Sequence, residues 1–194
     1  MKAIMMSIRP EWCVEILNGK KTIEVRKKFP KDFRGWVYIY CTKGLPLFRT
    51  RFGWYRIARW VYDEMRFRNG KVLGRFWVDN VEEYYNAGRF IDEPKCELDD
   101  ICEKACLSRY ELDEYCEGSK FVAIYISKLE TFDKTKKLSE FKRPKWSKCG
   151  VKDKNGLYQC DKCPYGKNWT TTCEYDKPIK APQNYCYVEV EKWH

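Results

Sequence analysis

The sequence predicts an α+β fold, a β-barrel with short flanking helices and a small cysteine-rich insertion. Three observations predict it. Short apolar runs rich in β-branched and aromatic residues are spaced along the chain, only two stretches carry clear helix signals, and four cysteines cluster in a polar, glycine-bearing stretch near the C-terminus. At 194 residues the chain is long enough to bury one sizeable core, so a single domain over 1–194, with insertions, is expected. With 44% apolar and 34% charged residues, and 8 Trp, 14 Tyr and 10 Phe, the composition is that of a folded protein and excludes a disordered one.

The elements follow in order. Ala3 to Ile8 is apolar enough for a first strand, and Pro10 then opens a short helix that Gly19 closes. In that helix Trp12, Cys13, Ile16 and Leu17 share one buried face. Thr22 to Arg26 returns to an extended pattern, and Trp36 to Cys41 reads as a central strand. Val72 to Val78, Phe121 to Ile126 and Tyr185 to Val190 read as further strands. Ser108 and Glu111 form a capping box, so residues 109 to 116 should be helical, ended by Gly118.

Charge divides the chain into blocks. The formal net charge is +10, which favours an anionic partner such as RNA or a nucleotide. Residues 43–75 hold nine Lys or Arg against Asp63 and Glu64, a net of +7, whereas residues 79–117 carry a net of −9. The basic block interleaves its charges with Phe48, Phe52, Trp54, Tyr55, Trp60, Tyr62 and Phe67, the mixture that single-stranded nucleic acid uses for phosphate pairing and stacking. Arg49, Arg51, Arg56 and Arg59 are the expected phosphate contacts; the alternative is an insertion that folds back on its aromatics and solvates its arginines. No run of about 18 apolar residues exists to span a bilayer, and Met1 to Ile8 is not a signal-peptide stretch. No membrane association and a cytoplasmic location are therefore expected.

The most informative stretch is Gly19-Lys20-Lys21-Thr22-Ile23-Glu24-Val25-Arg26, which places a fixed cation, a carboxylate and a guanidinium at a helix-to-strand turn. Glu24 and Arg26 alternate onto one strand face, and Lys21 reaches it because it precedes the regular pleat. They form a charged cleft or, alternatively, a plain ion pair that closes the barrel mouth. Here the chain resembles the ASCH family, whose G-x-K-x-x-E-x-R hallmark is met at Gly19, Lys21, Glu24 and Arg26. The resemblance extends over Ser7 to Pro30, Asn69 to Phe76, Cys106 to Leu112 and Pro182 to Val190. Segments 43–70 and 145–180 look like insertions particular to a phage-like or gut-bacterial branch.

The resemblance implies a PUA-like barrel and an RNA- or nucleotide-binding cleft around Lys21, Thr22, Glu24 and Arg26. Small bacterial members similar to this chain are amidohydrolases that remove the acetyl group of N4-acetylcytidine, using a Lys matching Lys21, a Thr at the position of Glu24 and a downstream Glu. This sequence keeps the Lys and not that Thr. If it is such an enzyme, Glu24 is the general base for water and Lys21 stabilises the oxyanion. A protein-interaction module is the third alternative.

Cys149, Cys160, Cys163 and Cys173 have the spacing C-x10-C-x2-C-x9-C, which suits a small structural zinc site with four thiolates; reduced, partly exposed thiols are the alternative. Cys96, Cys102, Cys106 and Cys116 form a looser set in which Cys102 and Cys106 are expected to pack a helix. The only histidine is His194, which argues against Ser-His or Cys-His nucleophilic catalysis.

Overall fold

The computed structural model describes residues 2–43, 47–50, 53–56, 69–85, 95–142 and 179–189. In chain order the elements are β1 (Lys2–Ile8), α1 (Pro10–Leu17), β2 (Ile23–Arg26), β3 (Gly35–Cys41), β4 (Leu47–Thr50), β5 (Gly53–Arg56), β6 (Val72–Tyr85), α2 (Lys95–Lys104), α3 (Arg109–Cys116), β7 (Lys120–Lys136) and β8 (Tyr185–Glu189). Six strands form one mixed sheet in the order β2-β7-β6-β3-β1-β8, and β4 and β5 pair as a separate hairpin. Only β1 and β3 run parallel; every other pairing is antiparallel.

The sheet curls strongly without closing by strand pairing among the described residues. Strands β2 and β1 are four steps apart in the order, about 19 Å if the sheet were flat, at ~4.8 Å per step. Yet Arg26 on β2 donates from Nη2 to the carbonyl oxygen of Ser7 on β1 at 2.7 Å. The barrel expected from the sequence is therefore an open, α+β version whose seam is bridged by side chains.

Both faces of the sheet are buried, which explains why Trp36 to Cys41 is a continuous apolar run and does not alternate with polar residues. Val37, Ile39 and Cys41 join Ile4, Met6, Ile8, Cys13 and Ile16 in the inner core. Tyr38 and Tyr40 point the other way, packing with Met5, Phe141, Ile179 and Val188. On the outer face of β2 and β7, helices α2 and α3 bring Ile101, Cys102, Ala105, Leu112 and Cys116 onto Ile23, Val25, Phe121 and Ala123.

Strands β6 and β7 run for 14 and 17 residues, about two and three times the lengths read from sequence. Their outer halves are polar and are stabilised by cross-strand partners, such as Arg75 against Glu130 at 2.6 Å. Gly74 sits at a register shift in β6, opposite Thr131. A Cβ there would press on the Glu130 carbonyl oxygen and lie 3.1 Å from the Thr131 Cα, both backbone atoms that yield only if the strands part. Gly74→Ala is expected to lower stability by about 1–3 kcal/mol, read as a lower denaturation midpoint at unchanged denaturant slope. An unaltered midpoint would mean that this bulge relaxes freely.

The capping box forms as read: Ser108 Oγ accepts from the Glu111 amide at 3.2 Å and the Ser108 amide donates to Glu111 Oε2 at 2.7 Å. Helix α2 covers Lys95–Lys104, beginning N-terminal to the stretch where the sequence expects Cys102 and Cys106 to pack a helix. Cys102 is buried in it, but Cys106 lies beyond its end in a left-handed conformation (φ 56°), so the two do not share a helix face. Among the described residues no helix is long and apolar enough to cross a membrane.

Candidate functional site: a charged cavity at the open seam

The turn after α1 delivers Lys21. Gly19 adopts φ 72°, and the amides of Lys20 and Lys21 both donate to the Glu15 carbonyl at 3.0 Å, folding the chain back over the helix end. Lys21 then lies inward, with only 3% of its surface exposed. Its Nζ donates to the Ala105 carbonyl oxygen at 2.5 Å, just past the C-terminus of α2, where a helix leaves carbonyls unpaired and carries partial negative charge. The ammonium also sits 5.0 Å from the ring centroid of Trp12.

Glu24 is the hub. Its Oε1 is 2.8 Å from Arg26 Nη2 and its Oε2 is 3.5 Å from Lys21 Nζ. Burial pushes the Lys21 ammonium below its ordinary value of 10.5; the Glu24 carboxylate opposes that shift and the Arg26 guanidinium adds to it. Arg26 also donates to the Ser7 carbonyl and to Asn184 Oδ1, at 2.7 and 3.3 Å, while its buried Nε finds no acceptor among the described residues. Sequence left open whether the Glu24–Arg26 pair shapes a cleft or closes the barrel mouth; the geometry has it bridging the seam and lining a cavity.

That cavity has a volume of about 510 Å³, within the range of small-ligand sites. Arg9, Lys21 and Arg26 supply its cations, and Glu11, Glu24, Glu111 and Glu114 its carboxylates. Trp12 and Tyr115 supply aromatic walls, with Ser7, Val25 and Leu107 between them. Carboxylates outnumber cations by one, so the charge balance differs from that of the basic 43–75 segment.

The ASCH domain family model matches residues 6–152. The chain belongs to the ASCH domain family. The crystal structure of ASCH from Zymomonas mobilis is 19% identical, with 71% of this chain and 74% of that chain covered and a TM-score of 0.48. Two mutant proteins of the same ASCH, a Tyr-to-Phe and a Ser-to-Ala form, are 17% and 19% identical, cover 71% of this chain and 77% and 75% of theirs, and give TM-scores of 0.47 and 0.45. No curated protein matches. The family and the α+β class expected from sequence both stand.

In this ASCH protein Lys21, Glu24 and Arg26 come together on the cavity floor as the motif suggested. Thr22 does not join them: it is exposed, and its backbone pairs with Lys104 and Ile126. Arg49 and Arg56 lie on the β4–β5 hairpin, where the register sets Arg49 opposite Trp54 and Arg56 opposite Leu47. Arg51 and Arg59 lie outside the described residues, as do the candidate zinc ligands Cys149, Cys160, Cys163 and Cys173. Sequence reasoning missed Ser7, Arg9, Glu11, Trp12, Glu111, Glu114 and Tyr115. From sequence Glu111 reads only as a helix cap, Trp12 only as core, and Glu114 only as part of an acidic block.

Proposed function

We propose that this ASCH protein binds RNA or a nucleotide, with a base entering the cavity and the phosphates remaining outside it. The observation that carries the reading is an aromatic-walled cavity whose buried cations are already engaged by carboxylates. Lys21 and Arg26 are partnered by Glu24 and by the Ala105 and Ser7 carbonyls, so the buried floor holds little free positive charge for a phosphate, while the third cavity cation, Arg9, is solvent-exposed. Trp12 and Tyr115 suit stacking, and carboxylate oxygens accept from the exocyclic amines of bases. Phosphates then fall to the 43–75 segment, whose arginines concentrate positive charge.

Titration calorimetry with cytidine and with a short single-stranded RNA tests this. Log affinity for the RNA should fall linearly with log salt, while cytidine binding should depend on salt weakly. Trp12→Ala should weaken both by about 1–3 kcal/mol and leave the salt slope of the RNA intact. Unchanged affinity in that variant would refute base entry, and binding to neither probe would turn attention to a protein partner.

The desolvated Lys21 beside Glu24 favours a second reading, amide hydrolysis of a modified nucleoside such as N4-acetylcytidine. Water would add to the acetyl carbon with Glu24 taking its proton and Lys21 holding the oxyanion; Glu24 would then hand that proton to N4 as the C–N bond breaks, freeing cytidine and acetate. This reading ranks below binding because both Glu24 oxygens are held by cations, an arrangement that suits an acceptor better than a base. It is abandoned if Glu24→Gln releases acetate as fast as the unaltered protein.

A further inference from the structure

We infer that Asn184 is a positioning residue for the cavity, acting on a bound ligand through Arg26 and Glu24. Asn184 is not part of the cavity wall and lies 158 residues from Arg26 in sequence. It stands directly before β8, whose pairing with β1 fixes its place. From there its backbone carbonyl accepts from the Ser7 amide at 3.1 Å, its Oδ1 accepts from Arg26 Nη1 at 3.3 Å, and its Nδ2 donates to the Lys28 carbonyl at 2.9 Å. The neighbouring Pro182 carbonyl accepts from Ser7 Oγ at 2.5 Å.

This arrangement holds the guanidinium from two sides. One terminal nitrogen is given to Asn184, and the other is shared between Glu24 Oε1 and the Ser7 carbonyl. A guanidinium binds well as a fixed fork, because its planar donors must meet acceptors in a set geometry. Without Asn184 Oδ1 the Arg26 fork has one anchor fewer and is free to turn about its long stem. Glu24 would then lean toward Lys21, changing the charge that a ligand meets on the floor.

The two sides of the Asn184 amide allow a clean separation. Asn184→Asp keeps an oxygen for Arg26 and loses the donor to Lys28, whereas Asn184→Ala loses both. If Asn184 only ties the seam together, the two variants should behave alike; if it positions Arg26, aspartate should rescue what alanine loses. Asn184→Ser is too short to reach Arg26 and carries the alanine expectation should the alanine variant not fold.

The first readout needs no ligand: the titration of Lys21, followed by NMR of its side chain, in surroundings that include Glu24, Arg26 and Cys106. Asn184→Ala is expected to move it upward, since Arg26 no longer opposes the ammonium as closely; the new carboxylate of Asn184→Asp would itself favour the ammonium, so that variant is read by affinity alone. The second readout is affinity for cytidine, expected to fall about tenfold in the alanine variant and to return within about threefold in the aspartate variant. An unmoved Lys21 titration in the alanine variant, or equal losses of affinity in both variants, overturns the inference. The affinity arm rests on the base-binding reading; if the unaltered protein does not bind cytidine, that reading fails and the Lys21 titration still decides the role of Asn184.

Discussion

Glu24→Gln is expected to destabilise the protein by about 3–5 kcal/mol, measured by denaturant unfolding at neutral pH. The amide keeps the size and shape of the carboxyl group, so no cavity opens and the loss is electrostatic. Glu24 is 4% exposed, and its two oxygens are shared between Lys21 and Arg26. Removing its charge leaves two cations facing one another in a poorly solvated place, with side chains only 3% and 14% exposed. The half-exposed Asp100–Lys104 pair on α2 is the internal control. Asp100→Asn should cost no more than about 0.5 kcal/mol, because solvent already screens that pair. Equal small losses in both variants would show that the Glu24 site is solvated and would remove it as an organising centre.

The contrast between these two pairs marks what local sequence conveys. The spacing of Lys21, Glu24 and Arg26 carries the site because a strand places alternate residues on one face. Pro10, Gly19, Ser108 and Gly118 fix helix ends through rules that act within four residues. The extent of helix α2 is legible only around Cys102, because its sequence, KCELDDICEK, offers few apolar positions; it is held by Ile101 and Cys102 packing on strands that sequence cannot bring near. The far halves of β6 and β7 escaped sequence reasoning for a similar reason, since polar residues such as Glu82 and Glu83 of β6 and Glu130 of β7 read as loop until paired across the ladder.

The cavity rim shows the same limit more sharply. Glu111 and Glu114 belong to a block whose negative charge, read along the chain, suggested a separate acidic patch. Packing of α3 over β2 brings that block to the wall of the cavity that Lys21 also lines. Asn184, likewise, reaches Arg26 only because β8 pairs beside β1 and the sheet curls until its edges meet. Neither juxtaposition follows from periodicity or from capping.

Lys21→Met should lower stability by about 3 kcal/mol at neutral pH, near the bottom of the range for breaking a buried pair, because Arg26 still partners Glu24 while the Ala105 carbonyl loses its donor. Its more distinctive signature is the pH dependence. In the unfolded chain the amine keeps its proton up to about its ordinary 10.5, but burial makes the folded protein release it at lower pH. Between those two points the unfolded state binds more protons, so the stability of the unaltered protein must rise with pH relative to the methionine variant. Below the folded value both states are protonated and the difference is flat. Burial raises the thiols of Cys13 and Cys116, the latter to about 11, so their ionisation works against folding at alkaline pH; their contribution is common to both proteins and largely cancels in the difference. A difference profile that stays level up to pH 10.5 would mean that Lys21 keeps its solvation. It would then act as an ordinary surface cation, and both the base-binding and the hydrolytic readings would lose the desolvated floor on which they stand.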